Sequence, residues 1–504
     1  MADILRGLMD FMAWPSPLFM ALGALLGMLF GFIPGLGGAQ ALALLTPVTF
    51  GMPPNQAMAM MIGAMGAVPF GGSISAILIN TPGTPQNAAT TFDGFPLTKQ
   101  GKAGFALGAS ASSSVMGALF GVVVLAVLIP LGKPVVLAFS YPEYFMMAFM
   151  GISVIAVVSL GSIWKGLAAG VFGLLLSTVG YDPVTGSVRY TMGFEYLYDG
   201  IKIVPALIGL FAISESLEMM IKGRDLDTGN KAIGNVGSGV WEGIMATFKH
   251  WWLFIRCSVI GVIIGIIPGV GGSVSNFLAY GHAVQTTKDN PHFGQGDVRG
   301  VIAPQASDTA KDGGAMVPTI LFGIPGSVET AVLLGALILH GLQPGPKLLL
   351  DNPTIVYVMI FALVASNVLA GVLGILGARY LAKLTLLPVK LTSPVIIALA
   401  LMGAYATNGV LEDVILALVF GVIGYFMNKY GFTRVPLVIA LVLGTMFQQT
   451  YHQTISSMGW QGFFKRPISL GLFLVTVVML VTPFIKARQD RIRKAKKEGE
   501  MYEA

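Results

Sequence analysis

Charge is the scarcest feature of this 504-residue sequence: Asp, Glu, Lys and Arg together make up 11% of it, while 55% is hydrophobic. Soluble domains carry about 25% charged residues. The shortage is also local, because no charged residue occurs between Asp10 and Asp93. A water-soluble fold has no means of covering its surface over such a length, whereas membrane spans of roughly 20 residues need no charge. The sequence therefore predicts an integral membrane protein.

Several signatures of chemistry are missing as well. The sequence contains no Gly-x4-Gly-Lys-Ser/Thr P-loop, no Gly-x-Ser-x-Gly elbow and no His-Glu-x-x-His pair, the motifs of phosphate, acyl and metal chemistry. Cys257 is the single cysteine, which excludes an internal disulfide and a cysteine metal cluster. We predict a protein that is not an enzyme, hydrolyses no ATP, and has no cofactor and no bound metal other than a coupling cation.

The apolar runs are hydrophobic on every face, as in helices. Residues 115–131 and 468–485 lack the alternation of barrel strands. We predict an all-α polytopic membrane protein with roughly 10 to 14 membrane-embedded segments, in two structurally related halves with broken or re-entrant helices.

Polar stretches divide the chain. Residues 222–250 are rich in charge and glycine, and 486–497 are strongly basic. We predict a first membrane repeat at 1–221, a polar linker at 222–250, a second membrane repeat at 251–486 and a basic tail at 487–504. The tail has the composition of a nucleic-acid arm or of a cytoplasmic anchor after the last span, and we interpret it as the anchor, with no nucleic-acid partner.

Two helix-breaking motifs recur along the chain. Gly31-Phe-Ile-Pro-Gly-Leu-Gly-Gly38 returns as Gly265-Ile-Ile-Pro-Gly-Val-Gly-Gly272, at an offset of 234 residues. Ile77-Leu-Ile-Asn-Thr-Pro-Gly-Thr84 returns as Ile320-Leu-Phe-Gly-Ile-Pro-Gly-Ser327, at an offset of 243 residues. Duplicated halves that each contain Gly/Pro-interrupted apolar segments are typical of secondary transporters.

A broken helix exposes backbone N–H groups at one new end and C=O groups at the other. The N–H end suits a carboxylate, and the carbonyl end suits a small cation such as Na⁺. The predicted substrate-binding residues are Gly37, Gly38, Thr81, Gly83, Thr84, Asn87, Gly271, Gly272, Ser273, Asn276, Gly326 and Ser327. The predicted coupling-ion residues are Pro34, Gly35, Pro268, Gly269 and Glu329. The alternative is that these glycines only allow close helix packing.

Few charges lie near the second break. We expect a polar loop from residue 282 to residue 311, which leaves Asp308, Lys311 and Asp312 either in water at a membrane boundary or at membrane depth, where charges are costly and functional. Glu329 has apolar runs on both sides and is the better candidate. We also expect a loop over residues 93–102.

The chain resembles the TctA family, the large membrane subunit of the tripartite tricarboxylate transporters. The resemblance depends on Ile33-Pro-Gly-Leu-Gly-Gly38, Asn80-Thr-Pro-Gly-Thr84, Phe92-Asp-Gly94, Ser177-Thr-Val-Gly-Tyr-Asp-Pro183, Ile267-Pro-Gly-Val-Gly-Gly272, Arg299-Gly-Val-Ile-Ala-Pro304, Gly323-Ile-Pro-Gly-Ser327 and Gly341-Leu-Gln-Pro-Gly-Pro346. These motifs cover nearly the whole length.

The resemblance implies a multi-pass permease of the bacterial inner membrane. It implies two partners, a small membrane subunit and a periplasmic solute-binding protein, an organic acid as substrate, and an ion gradient (Na⁺ or H⁺) as driving force. One segment departs from the family pattern, which has Glu and a neutral Asn-Asn pair where this chain has Gln305-Ala-Ser-Asp-Thr-Ala-Lys-Asp312. The resemblance therefore does not define which carboxylate is carried.

The sequence leaves three classes of function to compare. The first is a carboxylate:cation symporter subunit that works by alternating access, which we favour. The second is a passive channel or facilitator for organic anions, which equilibrates its solute and never concentrates it. The third is an intramembrane enzyme or scaffold, for which we find no nucleophile–base pair.

Overall fold

The computed structural model describes residues 2–158, 163–182, 184–222, 238–268, 271–289, 292–384, 389–478 and 480–481. The chain forms two compact units, Met1–Leu137 with Lys202–Phe426, and Ala138–Ile201 with Met427–Ala504. Both predicted helix-breaking motifs, with their repeats, lie in the first unit. The predicted linker at 222–250 falls partly, and the basic tail at 487–504 entirely, on residues outside these ranges, so the division into repeats, linker and tail stays a prediction.

Helices dominate the described residues. In chain order they are α1 (Ala2–Met12), α2 (Ser16–Phe32), α3 (Gly38–Val48), α4 (Pro54–Ile79), α5 (Ala88–Lys99), α6 (Ala103–Leu137), α7 (Tyr141–Val158), α8 (Ile163–Leu176), α9 (Ile203–Leu207), α10 (Ser214–Lys222), α11 (Val240–Lys249), α12 (Trp251–Ile266), α13 (Gly271–Thr286), α14 (Arg299–Phe322), α15 (Val328–Leu339), α16 (Pro346–Asp351), α17 (Pro353–Leu384), α18 (Val389–Asn408), α19 (Leu411–Lys429), α20 (Arg434–Met458), α21 (Gly462–Lys465) and α22 (Pro467–Val478).

The remaining regular elements are short. They are the 3₁₀ turns Pro85–Asn87 and Glu195–Leu197, the π-helical turn Ile208–Ile213 between α9 and α10, and the antiparallel strands β1 (Gly180–Tyr181) and β2 (Val188–Arg189).

In the described part of the chain, five helices are long and apolar enough to cross a membrane: α4, residues 103–132 of α6, residues 203–221, residues 353–378 of α17, and α19. Two bent pairs, α1 with α2 at 73° and α11 with α12 at 78°, raise this to as many as 7 spans. Shorter apolar helices include α3, α15 and α22. The predicted all-α polytopic membrane fold is confirmed.

Helices α2 and α12 occupy corresponding places in the first unit. α2 lies along α4, and α12 lies along α14. Glycines make both contacts possible, because a Cβ at Gly27 would meet the backbone of Ala64 and a Cβ at Gly261 would meet the backbone of Ser307. Small residues of this kind let membrane helices approach closely.

The second unit has an aromatic core. The Phe145 ring on α7 lies with its centroid 4.7 Å from that of Phe447 and 4.8 Å from that of Phe463. Next to it, the buried Glu143 carboxylate accepts a hydrogen bond from Arg466 Nε at 2.6 Å. This pair connects the start of α7 with the residue after α21.

Two predicted loops are wrong. Residues 93–99 of the loop expected at 93–102 belong to α5. The expected polar loop from 282 to 311 is helical at both ends, because α13 extends to Thr286 and α14 begins at Arg299. In both places burial against neighbouring helices overrides the local preference of polar and helix-breaking residues.

Candidate functional site

The first elbow begins at Ile33 and ends at Gly38, between α2 and α3. Ile33 is extended, with a ψ of 115°, because Pro34 disfavours helical backbone at the residue before it. Gly35 has a φ of +89°, which glycine adopts without steric cost. A Cβ on Gly38 would lie 2.6 Å from Glu329 Cγ. The elbow therefore approaches Glu329 as closely as a glycine permits.

The second elbow lies between α12 and α13. Ile267 is extended, with a ψ of 110°, before Pro268. α13 begins at Gly271, and a Cβ on Gly272 would lie 2.8 Å from Gln86 Cγ. Gly269 and the side chain of Ser273 are outside the described part of the chain, so their predicted roles stay predictions.

A hydrogen bond joins the two residues that face the elbows. Gln86 Nε2 donates to Glu329 Oε1 at 3.0 Å, and these residues are 243 apart in sequence, the offset of the second repeated motif. Glu329 faces Gly38, and Gln86 faces Gly272. All four helix-breaking motifs thus meet at the Gln86–Glu329 pair, which we call the central pair.

The central pair is asymmetric in charge. Glu329 is 8% exposed and lies in the first turn of α15, next to the first residue of α3. A carboxylate there is stabilised by the partial positive charge of helix N-termini. Its counterpart Gln86 is half-buried and neutral.

Asn87 is fully buried and has all its bonds within the first half. Its Nδ2 donates to Pro69 O and Ser73 Oγ, both at 2.9 Å, and its Oδ1 accepts from Thr84 Oγ1 at 2.7 Å. The predicted ligands Asn87 and Thr84 therefore hold the turn that carries Gln86.

The corresponding turn of the second half is held by a capping box. Ser327 N donates to Thr330 Oγ1 at 2.9 Å, and Thr330 N donates to Ser327 Oγ at 3.3 Å. Each of these bonds satisfies a backbone group at the start of α15 that has no partner within the helix. Ser327 thereby fixes the position of Glu329.

Other predicted residues serve packing or local contacts. A Cβ on Gly83 would collide with Gly31 O, and one on Gly326 would lie 2.7 Å from Gly265 O. The Thr81 hydroxyl lies 3.4 Å from the carbonyl oxygen of Ile79, in its own turn. For Gly83 and Gly326 the packing alternative describes the contacts well.

The remaining predicted residues lie around the elbows. Asn276 is 1% exposed, and its Nδ2 donates to Gln86 O at 2.7 Å. A Cβ on Gly37 would lie 3.1 Å from Gln40 Oε1, and one on Gly35 would lie 3.4 Å from Met219 Sδ. Asn276 thus joins the central pair, whereas Gly35 faces α10.

Three charged side chains lie inside α14 beside the central pair. Asp308 is fully buried, and Lys311 and Asp312 are each 2% exposed, so the alternative that placed them in boundary water is wrong. Lys311 Nζ lies 2.9 Å from Asp312 Oδ1 and 3.8 Å from Asp308 Oδ1. Gln305, one turn before, accepts a hydrogen bond from Ser73 of α4. The charges therefore belong to the same polar cluster as the elbows.

A second polar contact connects α5 with the segment before α14. The buried Asp93 Oδ1 accepts hydrogen bonds from the backbone N–H groups of Gly294, Gly296 and Asp297 at 2.8–2.9 Å, and Oδ2 accepts one from Tyr280 at 2.9 Å. Burial raises the pKa of Asp93, and these hydrogen bonds oppose the rise. The contact holds α5, which follows Gln86, against α13.

Asp297, whose backbone N–H donates to Asp93, also forms an ion pair through its side chain. Its Oδ2 lies 2.7 Å from Arg299 Nη2. Burial acts to raise the pKa of Asp297, but hydrogen bonds from the Arg299 side chain and backbone hold it below its usual range. The start of α14 is thereby fixed by charge at the edge of the site.

Our prediction from the sequence missed Gln86 and left Asp308, Lys311 and Asp312 unassigned. The offset of 243 residues was the signal for Gln86, since it aligns Gln86 with Glu329. A full-length alignment of the second motif pair identifies that position without any structure.

Apolar helices make this a polytopic membrane protein, and helices interrupted by proline–glycine elbows around a buried polar cluster are typical of secondary transporters. Comparison with known proteins agrees with this class. The profile of the Tripartite tricarboxylate transporter TctA family matches residues 18–439, and the chain belongs to this family. It is thus a component of a tripartite tricarboxylate transporter.

Two curated relatives come from Agrobacterium vitis. The chain is 31% identical over 475 residues, 93% of its length and 94% of the relative's, to an uncharacterized 52.8 kDa protein of the TAR-I ttuC' 3' region. It is 28% identical over 237 residues, 46% of its length and 98% of the relative's, to an uncharacterized protein of the TAR-II ttuC' 3' region. No solved structure matches the chain significantly.

Proposed function

We propose that this chain is the permease subunit of a binding-protein-dependent secondary transporter. It imports a tricarboxylate or a related organic acid across the bacterial inner membrane, coupled to a Na⁺ or H⁺ gradient. Its partners are a small membrane subunit and a periplasmic solute-binding protein. The observation that carries the proposal is the meeting of both elbows and both second motifs at Gln86–Glu329.

The anion is expected at the helix N-termini of the cluster. α3 begins at Gly38, α13 at Gly271 and α15 at Val328, and the starts of α3 and α13 contact the central pair through Glu329 and Gln86. Unpaired N–H groups and the helix dipole favour a carboxylate at such positions. The Gln86 amide adds a neutral hydrogen-bond donor.

The cation is expected in the buried acidic cluster that includes Glu329. Charges at membrane depth are costly and are retained for function, and Glu329 is 8% exposed beside the first elbow. Entry of a cation offsets the charge of this carboxylate when an anionic solute arrives. This reciprocal effect is a coupling free energy, which ties uptake of the solute to the cation gradient.

The buried polar groups of the site suit transport. The buried polar groups serve helix ends and one another. We propose alternating access, in which the helices that carry the elbows move relative to the rest of their unit.

Reconstitution into liposomes tests the proposal. The chain is combined with its small membrane subunit, the solute-binding protein is added outside, and uptake of radiolabelled citrate and other di- and tricarboxylates is measured. We expect an organic acid to accumulate above equilibrium under an inward Na⁺ or H⁺ gradient. Equilibration without accumulation under both gradients, or the same uptake without any gradient, contradicts the proposal.

A further inference from the structure

Asp308 is the most isolated ionisable group of the cluster. It is 0% exposed, and among the residues that the structure describes neither carboxylate oxygen has a hydrogen-bond partner. Lys311 Nζ, at 3.8 Å, is beyond hydrogen-bond distance. A buried carboxylate without donors costs several kcal/mol if it stays charged, so this position favours a carboxyl group that takes up a positive charge.

Asn276 of α13 lies beside Asp308 and has an acceptor to spare. Its neighbour Ser275 is hydrogen-bonded to Ser307, the residue before Asp308, and Asn276 Nδ2 donates to Gln86 O. Asn276 Oδ1 has no partner within the described ranges, and the residue is 1% exposed. Asp308 and Asn276 thus both have acceptor oxygens without a donor. A proton on the Asp308 carboxylate would provide the missing donor between them.

The charges around Asp308 do not balance. The groups that face it are Lys311 and Asp312 on α14 and Glu329 on α15, together with the neutral Asn276. Lys311 binds Asp312 at 2.9 Å, so this pair is neutral. The carboxylates of Asp308 and Glu329 then remain as two negative charges, of which Glu329 has the Gln86 amide.

The arrangement suits a proton. A proton needs only one acceptor to bind and one to receive its hydrogen bond, and Asp308 with Asn276 provides both.

We propose that Asp308 is the proton-carrying residue of this transporter, with Asn276 as its hydrogen-bond partner and Lys311–Asp312 as the fixed neutral pair beside it. This inference depends on the proposed transport function and names its coupling ion. The carboxylate takes a proton from the outer solution, donates it in a hydrogen bond to Asn276 Oδ1, and releases it to the cytoplasm after the solute has left.

The experiment uses the reconstituted complete system with a pH-sensitive dye inside the liposomes. In wild type, a transported carboxylate is expected to bring protons in. In Asp308→Asn, which keeps the shape and cannot ionise, proton entry is expected to disappear and the accumulation ratio to fall to about 1, equilibrium. Asp289→Asn is the matched control: its carboxylate is 84% exposed, so its ion pair with Arg299 at 3.1 Å is screened by water and contributes little, and the variant should behave as wild type.

The outcomes separate this inference from the proposed function. If wild type neither accumulates nor exchanges any carboxylate, the proposed function fails. If wild type accumulates solute with Na⁺ and without proton entry, or if Asp308→Asn still couples proton entry to uptake, the proton site is refuted and the transporter stands.

A second measurement applies if Asp308→Asn transports nothing at all. The midpoint of thermal unfolding, Tm, is measured from about pH 8 to about pH 5.5. A group that is protonated in the folded state but ionised in the unfolded chain makes the fold more stable as the pH falls. We expect this gain in Tm to be smaller in Asp308→Asn than in wild type and Asp289→Asn. An equal gain in all three contradicts the proposal.

Discussion

Helices α4 and α14 have similar surroundings and different chemistry. Each lies along a glycine-bearing helix, α2 or α12, and each ends in a left-handed residue, Asn80 with a φ of 57° or Gly323 with a φ of 70°. Yet α4 has no charged residue, whereas α14 buries charges along its length. At the offset of 243 residues, the counterparts of Asp308, Lys311 and Asp312 are Met65, Val68 and Pro69.

The two regions share the positions of their helix breaks and differ in the charge of their side chains. Proline, glycine and the residues at helix ends determine where each chain segment breaks, and they act alike in both places. A few side chains then make the first region neutral, with Gln86 at the central pair, and the second region charged, with Glu329. We infer that the first region mainly binds solute and that the second carries the driving ion.

Leucine at either elbow is expected to have the largest effect. Gly38→Leu would meet Glu329 at 2.6 Å, and Gly272→Leu would meet Gln86 at 2.8 Å. The atoms that each leucine would meet belong to side chains, which can move aside, and not to the backbone. We therefore expect folded protein in size-exclusion chromatography but uptake no higher than in empty liposomes. Gly281→Leu on α13 is the control, because a Cβ there meets nothing within 4 Å. Normal uptake in both elbow variants would show that the elbows only pack.

Moving the carboxylate across the central pair tests the asymmetry. We expect Glu329→Gln to reduce gradient-driven uptake by at least about tenfold, or about 1.4 kcal/mol. The exchanged variant, Gln86→Glu with Glu329→Gln, keeps the same groups in contact but places the carboxylate on residue 86, next to α13 instead of α3. We expect no recovery of uptake. Full recovery would mean that the two sides of the pair are equivalent.

Alanine at Gly23 is expected to destabilise the fold. A Cβ there would collide with the backbone oxygen of Met60, so α2 and α4 must separate. Such overpacking costs about 3 kcal/mol, visible as a lower Tm. Its counterpart at the offset of 234 residues is Cys257, which already has a side chain. An unchanged Tm would mean that α2 and α4 are not in close contact here.

The contact made by Asp93 has no equivalent in the second half, where Ala336 is the counterpart at the offset of 243 residues. Asp93→Asn weakens hydrogen bonds to a charged acceptor, at a cost of about 2 kcal/mol. We expect a lower Tm and faster hydrogen exchange in residues 292–297. Protection as in wild type would contradict this role.

Cys257→Ala is expected to have the smallest effect. Cys257 Sγ is buried and lies 3.8 Å from Ala279 O. Loss of one small side chain costs about 1 kcal/mol or less, and transport should remain normal. A loss of transport would give this thiol a role that its contacts do not explain.

The breaks in the fold were predictable from the sequence because they depend on local rules. Proline makes the residue before it extended, as at Ile33 and Ile267. Membrane segments followed in the same way from long runs without charge. Two motif pairs at nearly equal offsets also made it reasonable to expect the elbows to act together.

The contacts between these breaks were not predictable in the same way. Asp308, Lys311 and Asp312 make residues 305–312 resemble a polar loop, and only packing against α6 and α12 shows that they are helical and buried. Asn87 is predicted to bind solute because it is a polar residue near a helix break. Nothing in the sequence indicates that its side chain bonds to Pro69 and Ser73 instead. The sequence does not indicate which side chains contact each other when they are far apart along the chain.

The most direct test asks whether water reaches the central pair. Gln86→Cys is introduced into the Cys257→Ala background, and the protein in liposomes is treated with a charged, membrane-impermeant thiol reagent or with an apolar maleimide. Because we place the elbows around a solute path, we predict labelling by the charged reagent, reduced when a transported carboxylate is bound. Labelling by the apolar reagent alone, or by neither, would contradict a solute site at the meeting of the elbows.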